Sequence, residues 1–308
     1  MRINALLAAT LILIVCGCGR GQPASDVSEE SAIRGTAVIP CDIQLIDMMN
    51  AIGKSYASDY PAANVTFEPM TTREAIRNLF GGLTKGIIIP REYLPDEDSI
   101  IKSNGYAFPR TLLAKDALVF YASKSFPYDT MSSAHIVAWF KGEIGESEMK
   151  RMYPKLAGRA PTFVSPFPGS VHANILRIAG GQIAQGRLTA LENKDSILRR
   201  MATGQNALVG VGYLSQFAKD TTVKMLRLSY FDKSGTYQLP KVVHAANLIQ
   251  GKYPFPVPIY FILKDTPSQH SLTSGVMQYL ARDAKAQRGF FDAGIEPAFA
   301  QIELILPD

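Results

Sequence analysis

Between Thr36 and Pro90 the chain switches repeatedly between two hydrophobic periods, and that switching restricts its fold more than any other feature. Residues 36–40, Thr-Ala-Val-Ile-Pro, read as a short strand running into a turn. Ile43, Leu45, Ile46, Met48, Met49 and Ile52 then recur at helical spacing, with Asp42 placed to cap the helix. Residues 65–69 form a second strand. Thr71 and Glu74 stand at capping-box spacing and start a helix over 75–79. Residues 86–90, Gly-Ile-Ile-Ile-Pro, form a third, buried strand. Strand, helix, strand, helix, strand means an α/β layer structure with a largely parallel sheet.

The pattern continues downstream. Residues 112–121 are the longest strand candidate, 132–140 are helical and stop at Gly142, and 161–164 form a strand. A Pro- and Gly-bearing loop over 165–169 leads into a helix over 170–178. A helix over 196–202 ends at Gly204, and strands follow over 207–213 and 222–228. The segment 254–263 is extended, and its early prolines restrict that part to an edge or connecting role. A last helix begins over 272–280. A chain of 308 residues is long enough for two domains.

The first residues point to export. Met1-Arg2 precedes an apolar run over 3–15, and Cys16-Gly17-Cys18-Gly19 closes it with small residues. The run is shorter than the roughly 20 residues a spanning helix needs. Gly17-Cys18 fits a lipobox in which Cys18 is acylated and becomes the new N-terminus; an ordinary cleaved leader with incidental cysteines fits the same letters. The expected division is a signal over 1–18 and a flexible polar tether over 19–34. The expected localisation is the bacterial cell envelope, facing the periplasm, with membrane contact through the lipid. Cys41 is the only other cysteine, which excludes a disulfide framework and a cysteine-rich metal site in the folded part.

The formal net charge of +5 is spread along the chain without a Lys/Arg block interleaved with aromatics, so nucleic acid is not an expected partner. Ser147-Glu148-Met149-Lys150 matches S-x-x-K and Lys233-Ser234-Gly235 matches K-S-G, the pair seen in penicillin-recognising enzymes. No S-x-N or Y-x-N lies between them, and 233–236 reads as a hairpin turn. The four histidines, at 135, 172, 244 and 270, have no metal-ligand spacing. The expectation is a binding protein without cofactor or metal, not an enzyme.

Five segments, in order, resemble the phosphate-binding periplasmic protein family of ABC transporters. They are Leu113-Ala114-Lys115-Asp116-Ala117-Leu118-Val119-Phe120, Trp139-Phe140-Lys141-Gly142, Val211-Gly212-Tyr213, Gly251-Lys252-Tyr253-Pro254 with Pro258-Ile259-Tyr260, and Gln287 with Gly294-Ile295-Glu296-Pro297. The resemblance implies a type II periplasmic-binding-protein fold, two α/β lobes joined by extended crossovers over about 114–123 and 253–263. Lobe one would comprise 35–115 and 260–308, and lobe two 116–259. It further implies a small anion, such as phosphate, held between the lobes for an ABC permease, or a sensing or scaffold lipoprotein on the same fold.

Carried onto this sequence, the family's anion donors fall on Thr36, on Thr71 and Thr72, and on Gly169 and Ser170, with Lys85 and His172 as sources of replacement charge. Thr71-Thr72 reads equally as a plain helix cap, Lys85 as a surface residue and His172 as a capping or surface residue. The family's Arg before its Ser-Gly-Thr loop is missing from 165–172, and Thr84-Lys85-Gly86 stands where the family has an Asp. Asp42 at the first helix entry would repel an anion unless it points away. The expected ligand is therefore not protonated phosphate held in the usual manner.

Overall fold

A computed structural model describes residues 30–167, 169–204, 207–264 and 270–299. The signal, Cys18 and most of the expected tether lie outside them.

Strand β1 (Gly35–Asp42), helix α1 (Ile46–Asp59), β2 (Ala63–Met70), α2 (Thr72–Phe80), β3 (Gly86–Ile89) and α3 (Pro95–Asn104) form the first unit. Strands β2 and β3 both pair with β1 in parallel, so the carboxyl ends of all three strands share one edge. Strand β4 (Arg110–Ser123), 14 residues long, then carries the chain out. The second unit contains β5 (Thr130–Ser132), α4 (Ser133–Lys141), α5 (Glu146–Met152), β6 (Thr162–Pro166) and α6 (Ser170–Ile178). It goes on through β7 (Thr189–Leu191), α7 (Lys194–Ala202), β8 (Leu208–Tyr213), α8 (Leu214–Phe217), β9 (Val223–Met225), β10 (Arg227–Phe231), β11 (Tyr237–Lys241) and α9 (Ala245–Ile249). Strand β12 (Pro256–Leu263) returns to the first unit, which α10 (Leu272–Arg282), α11 (Ala284–Asp292) and β13 (Glu296–Pro297) complete.

The main sheet runs β2-β1-β3-β12-β4-β8-β6-β7. Strand β4 belongs to both halves: residues 110–117 pair antiparallel with β12, and residues 118–122 pair antiparallel with β8. Parallel pairing of β6 with β7 and β8 gives the second half its own carboxyl edge. The fold is thus α/β in two lobes, with β4 and β12 as the extended crossovers.

Local chemistry explains most boundaries. Thr71 caps α2 in a complete capping box with Glu74. Gly142 ends α4 in the left-handed region. The expected strand over 222–228 is broken at Leu226, whose N–H goes to Phe120 O at 2.8 Å. Asp42 does not cap the first helix: β1 runs on through it, and Leu45 is the N-cap residue of α1. Strand β12 is paired on both sides from Tyr260, where β3 comes alongside, whereas Pro256 and Pro258 pair with β4 alone. The prolines therefore sit where one flank lacks a strand partner among the described residues, as their missing N–H requires.

Glu30 to Arg34, the end of the span expected to be tether, is docked on the first lobe. Tyr56 Oη donates to Ala32 O at 2.7 Å, and Glu30 accepts from Leu272 N at 3.1 Å and from Lys85 Nζ at 2.7 Å.

The crossing strand is packed tightly against β8. Gly210 lies opposite Tyr121 in the ladder, and a Cβ at Gly210 would stand 2.3 Å from the Tyr121 ring. That ring is fully buried and lies 4.0 Å, centroid to centroid, from Phe217. Gly210→Ala is expected to lower unfolding free energy by about 3 kcal/mol through overpacking, measured by urea denaturation; a change below about 0.5 kcal/mol would contradict this packing.

Candidate ligand-binding site

The two carboxyl edges face each other, and one carboxylate lies between them. Asp42, the last residue of β1, is wholly buried. Its Oδ2 accepts a hydrogen bond from Thr72 Oγ1. Its Oδ1 accepts from Ser170 Oγ at 2.9 Å and from Gln44 N at 3.0 Å. Thr72 is the first residue of α2 and Ser170 the first of α6. Two helix starts from opposite lobes thus direct donors at one negative group, where each helix carries its partial positive charge. Burial pushes the Asp42 pKa above its ordinary value; the three hydrogen bonds and the charge of Arg91 oppose that shift without cancelling it.

Further contacts close the lobes around this point. Asn174 Nδ2 donates to Pro90 O and to Tyr213 Oη, both at 2.9 Å. Gln216 Nε2 donates to Gln44 Oε1 at 2.9 Å. Within the second lobe, Arg177 Nη2 donates to Pro256 O, at the start of the returning crossover, at 3.2 Å.

Beside Asp42 lies a cleft of about 520 Å³, bounded by Thr71, Thr72, Arg77, Arg91 and Leu94 on one lobe and by Phe167, Gly169, His172 and Leu176 on the other. Arg91 is 4% exposed. Its Nη1 and Nη2 hold Glu97 at 2.6 and 2.8 Å, and Nη1 also donates to Glu92 O. Its Nε has no hydrogen-bond partner among the described residues. His172 sets its ring edge-on to Phe167 at 5.2 Å, and its Nδ1 is buried without a partner among them. Burial holds the His172 pKa below 6.5, so the ring is neutral at pH 7.

Five of the seven residues carried over by resemblance are therefore close together: Thr71, Thr72, Gly169 and His172 line the cleft, and Ser170 reaches Asp42. Thr71 is also the helix cap, so capping and cleft lining coincide in one residue. A Cβ on Gly169 would meet nothing within 4 Å, so close packing does not require glycine there. Thr36 and Lys85 lie elsewhere. Thr36 is exposed near the start of β1, roughly 20 Å from Asp42 at strand rise. Lys85 precedes β3 at that same far edge and is ion-paired with Glu30 at 2.7 Å.

Asp42 as an acceptor and Arg91 as a cleft donor escaped the sequence reading. Arg91 carried a usable signal: it follows an apolar strand at the carboxyl edge of a parallel sheet, where ligands bind in open α/β folds. Among the described residues, no group of three or more His, Cys, Asp or Glu side chains is placed to hold a metal, and no helix is long and apolar enough to cross a membrane. The S-x-x-K lysine, Lys150, is ion-paired with Glu146, and Ser234 of the K-S-G run donates to Asp232 in the turn between β10 and β11.

A family model described as a PBP superfamily domain matches residues 26–284. The chain belongs to the PBP superfamily. Among solved structures, it is similar to a Clostridium perfringens protein described as a phosphate ABC transporter substrate-binding protein with bound phosphate. That match has a TM-score of 0.64 at 14% identity, over 85% of this chain and 99% of that one. A Vibrio cholerae ABC-type phosphate transport receptor gives 0.63 at 13% identity, over 85% and 100%. A Planctomyces limnophilus protein described as a phosphate-binding protein gives 0.55 at 13%, over 86% and 93%. At these identities the likeness is one of fold. No curated protein matches the sequence.

This PBP-superfamily chain carries a second buried carboxylate at the crossover. Asp116 of β4 accepts from Ala117 N at 2.7 Å and from Ser215 N, in α8, at 3.2 Å, while its Oδ2 has no hydrogen-bond partner among the described residues. Burial pushes its pKa from 3.8 up to about 6. The folded state therefore holds this proton more tightly than the unfolded state. Its contribution to stability is full below pH 3.8 and is lost as pH rises through about 6. Asp116→Asn removes the titration. The stability of the variant relative to the parent is expected to rise by about 2.4 kcal/mol between pH 4 and pH 7, read as paired denaturation curves. A pH-independent difference would show that Asp116 is ionised as freely folded as unfolded.

Proposed function

We propose that this chain is an exported solute-binding protein that captures a small anionic ligand between its lobes for an ABC permease, held at the envelope by an acylated Cys18. The lobes are taken as 35–115 with 260–308, and 116–259. One observation carries the reading: helix starts from both lobes converge on a single buried negative group, with an open cleft beside it. Asp42 itself uses those directed donors, and the cleft beside it shares the start of α2, whose remaining N–H groups and partial positive charge favour a second anion. The fold likeness to phosphate-transport receptors supports the same reading.

Tightly held orthophosphate does not fit. The Asp42 carboxylate already takes the hydroxyls of Thr72 and Ser170, and a phosphate there would meet a like charge in a desolvated site. The same observation favours a second reading, a sensing or scaffold lipoprotein whose lobes are joined by an internal anion instead of a solute.

Calorimetry tests the account of Asp42. The full chain is expected to bind phosphate and sulfate no tighter than about 1 mM. Asp42→Ser removes the charge and leaves the hydroxyls of Thr72 and Ser170 seeking an acceptor. Its affinity for either ion is expected to rise by at least about tenfold, corresponding to roughly one recovered buried hydrogen bond. Nanomolar phosphate binding by the unaltered chain would overturn this account of Asp42.

A further inference from the structure

We infer that the cleft beside Asp42 binds an organic monoanion, a carboxylate on an aromatic or aliphatic body, in preference to a bare inorganic oxyanion. The inference rests on the reading of the chain as a solute-binding protein and names the class of its solute.

The head group is specified by donors left open. The Arg91 guanidinium commits three of its five N–H groups to Glu97 and Glu92 O, and its Nε–H is a buried donor without a partner among the described residues, on a nearly inaccessible side chain lining the cleft. A buried donor left unmet costs about 1–3 kcal/mol, so an acceptor arriving there recovers it. The first turn of α2 adds backbone N–H groups of Thr72 and Arg73 that no intrahelical carbonyl reaches; the N–H of Glu74 is already taken by Thr71 Oγ1. The buried Nδ1 of neutral His172 offers one further hydrogen bond, as donor or acceptor according to tautomer.

The charge of the ligand follows from the charges around it. Arg91 is matched by Glu97, and Arg73 is ion-paired with Asp96. Arg77 and Glu74 both line the cleft with opposite signs. Asp42 lies behind Thr72, wholly buried. No surplus positive charge remains to neutralise a dianion. Directed N–H groups suit one carboxylate, which accepts through two oxygens.

The body of the ligand is specified by volume and wall. A cleft of about 520 Å³ is far larger than a tetrahedral ion needs and falls within the range of small-molecule sites. Leu94, Ala173, Leu176 and Phe167 give it apolar sides. Phe167 is 50% exposed and stands edge-on to His172, so a ring or alkyl chain entering the cleft would cover it.

Isothermal titration of the full chain with phenylacetate, its neutral isostere 2-phenylethanol and inorganic phosphate tests the inference. Phenylacetate is expected to bind at least tenfold tighter than either of the other two. Phe167→Ala, at an exposed position, is expected to weaken phenylacetate about tenfold while leaving the ligand-free melting temperature unchanged, and Leu176→Trp is expected to abolish binding by filling the cleft. Equal affinity for the alcohol and the carboxylate, or no detectable phenylacetate binding, overturns the inference. Phosphate binding tighter than phenylacetate and indifferent to Leu176→Trp overturns it but leaves the solute-binding reading standing. So does a thermal shift with a neutral sugar or amino acid in place of phenylacetate. Only if that panel also leaves the melting temperature unmoved does the solute-binding reading fall with it.

Discussion

A carboxylate removed from water must be met by donors, and Asp42 is met from both halves of the molecule. Thr72 and Gln44 approach from its own lobe and Ser170 from the other. Each partner stands at the start of an element or in the turn between two, so one side chain fixes the end of β1 and the first residues of α2 and α6 together. Leaving such a charge without its partners would cost several kcal/mol. The lobes therefore meet here in one arrangement, not as two surfaces free to slide.

Around this point the other contacts serve alignment more than attraction. Asn174 bridges Pro90 O and Tyr213 Oη, and Gln216 reaches Gln44. Neutral amide hydrogen bonds contribute about 1 kcal/mol each, enough to set register between the lobes. The crossing strand is held more firmly. Tyr121 fills the space that a glycine leaves open in β8, and the β4–β12 ladder joins the two halves without a loop.

The two-lobed fold and its crossovers were legible through the family resemblance of five short segments; what the residue pattern alone made legible was local. The capping box of Thr71 and Glu74, the helix Ser170–Ile178 and the glycine stop at Gly142 were readable because each signal lies within one turn of chain. The hairpin at 233–236 was readable for the same reason. An acid immediately before a helical pattern is an ordinary capping signal, and only the tertiary arrival of Thr72 and Ser170 makes Asp42 an acceptor at the centre of the molecule. Thr36 and Lys85 were chosen by residue type and by likeness to a family. The parallel register of β1 with β2 and β3 sets both at the edge opposite the cleft. The Glu30–Arg34 segment looks too polar to pack, yet it docks through the backbone carbonyl of Ala32 and the side-chain carboxylate of Glu30, neither of which leaves a hydrophobic trace.

The prolines at the start of β12 have a consequence for the molecule among its neighbours. Where β3 has not yet come alongside, a strand flank would offer a template to any extended segment nearby. Pro256 and Pro258 present no N–H there, and the carbonyl of Pro256 is already engaged by Arg177. The connector can thus remain uncovered on one flank without offering a template for intermolecular β-pairing.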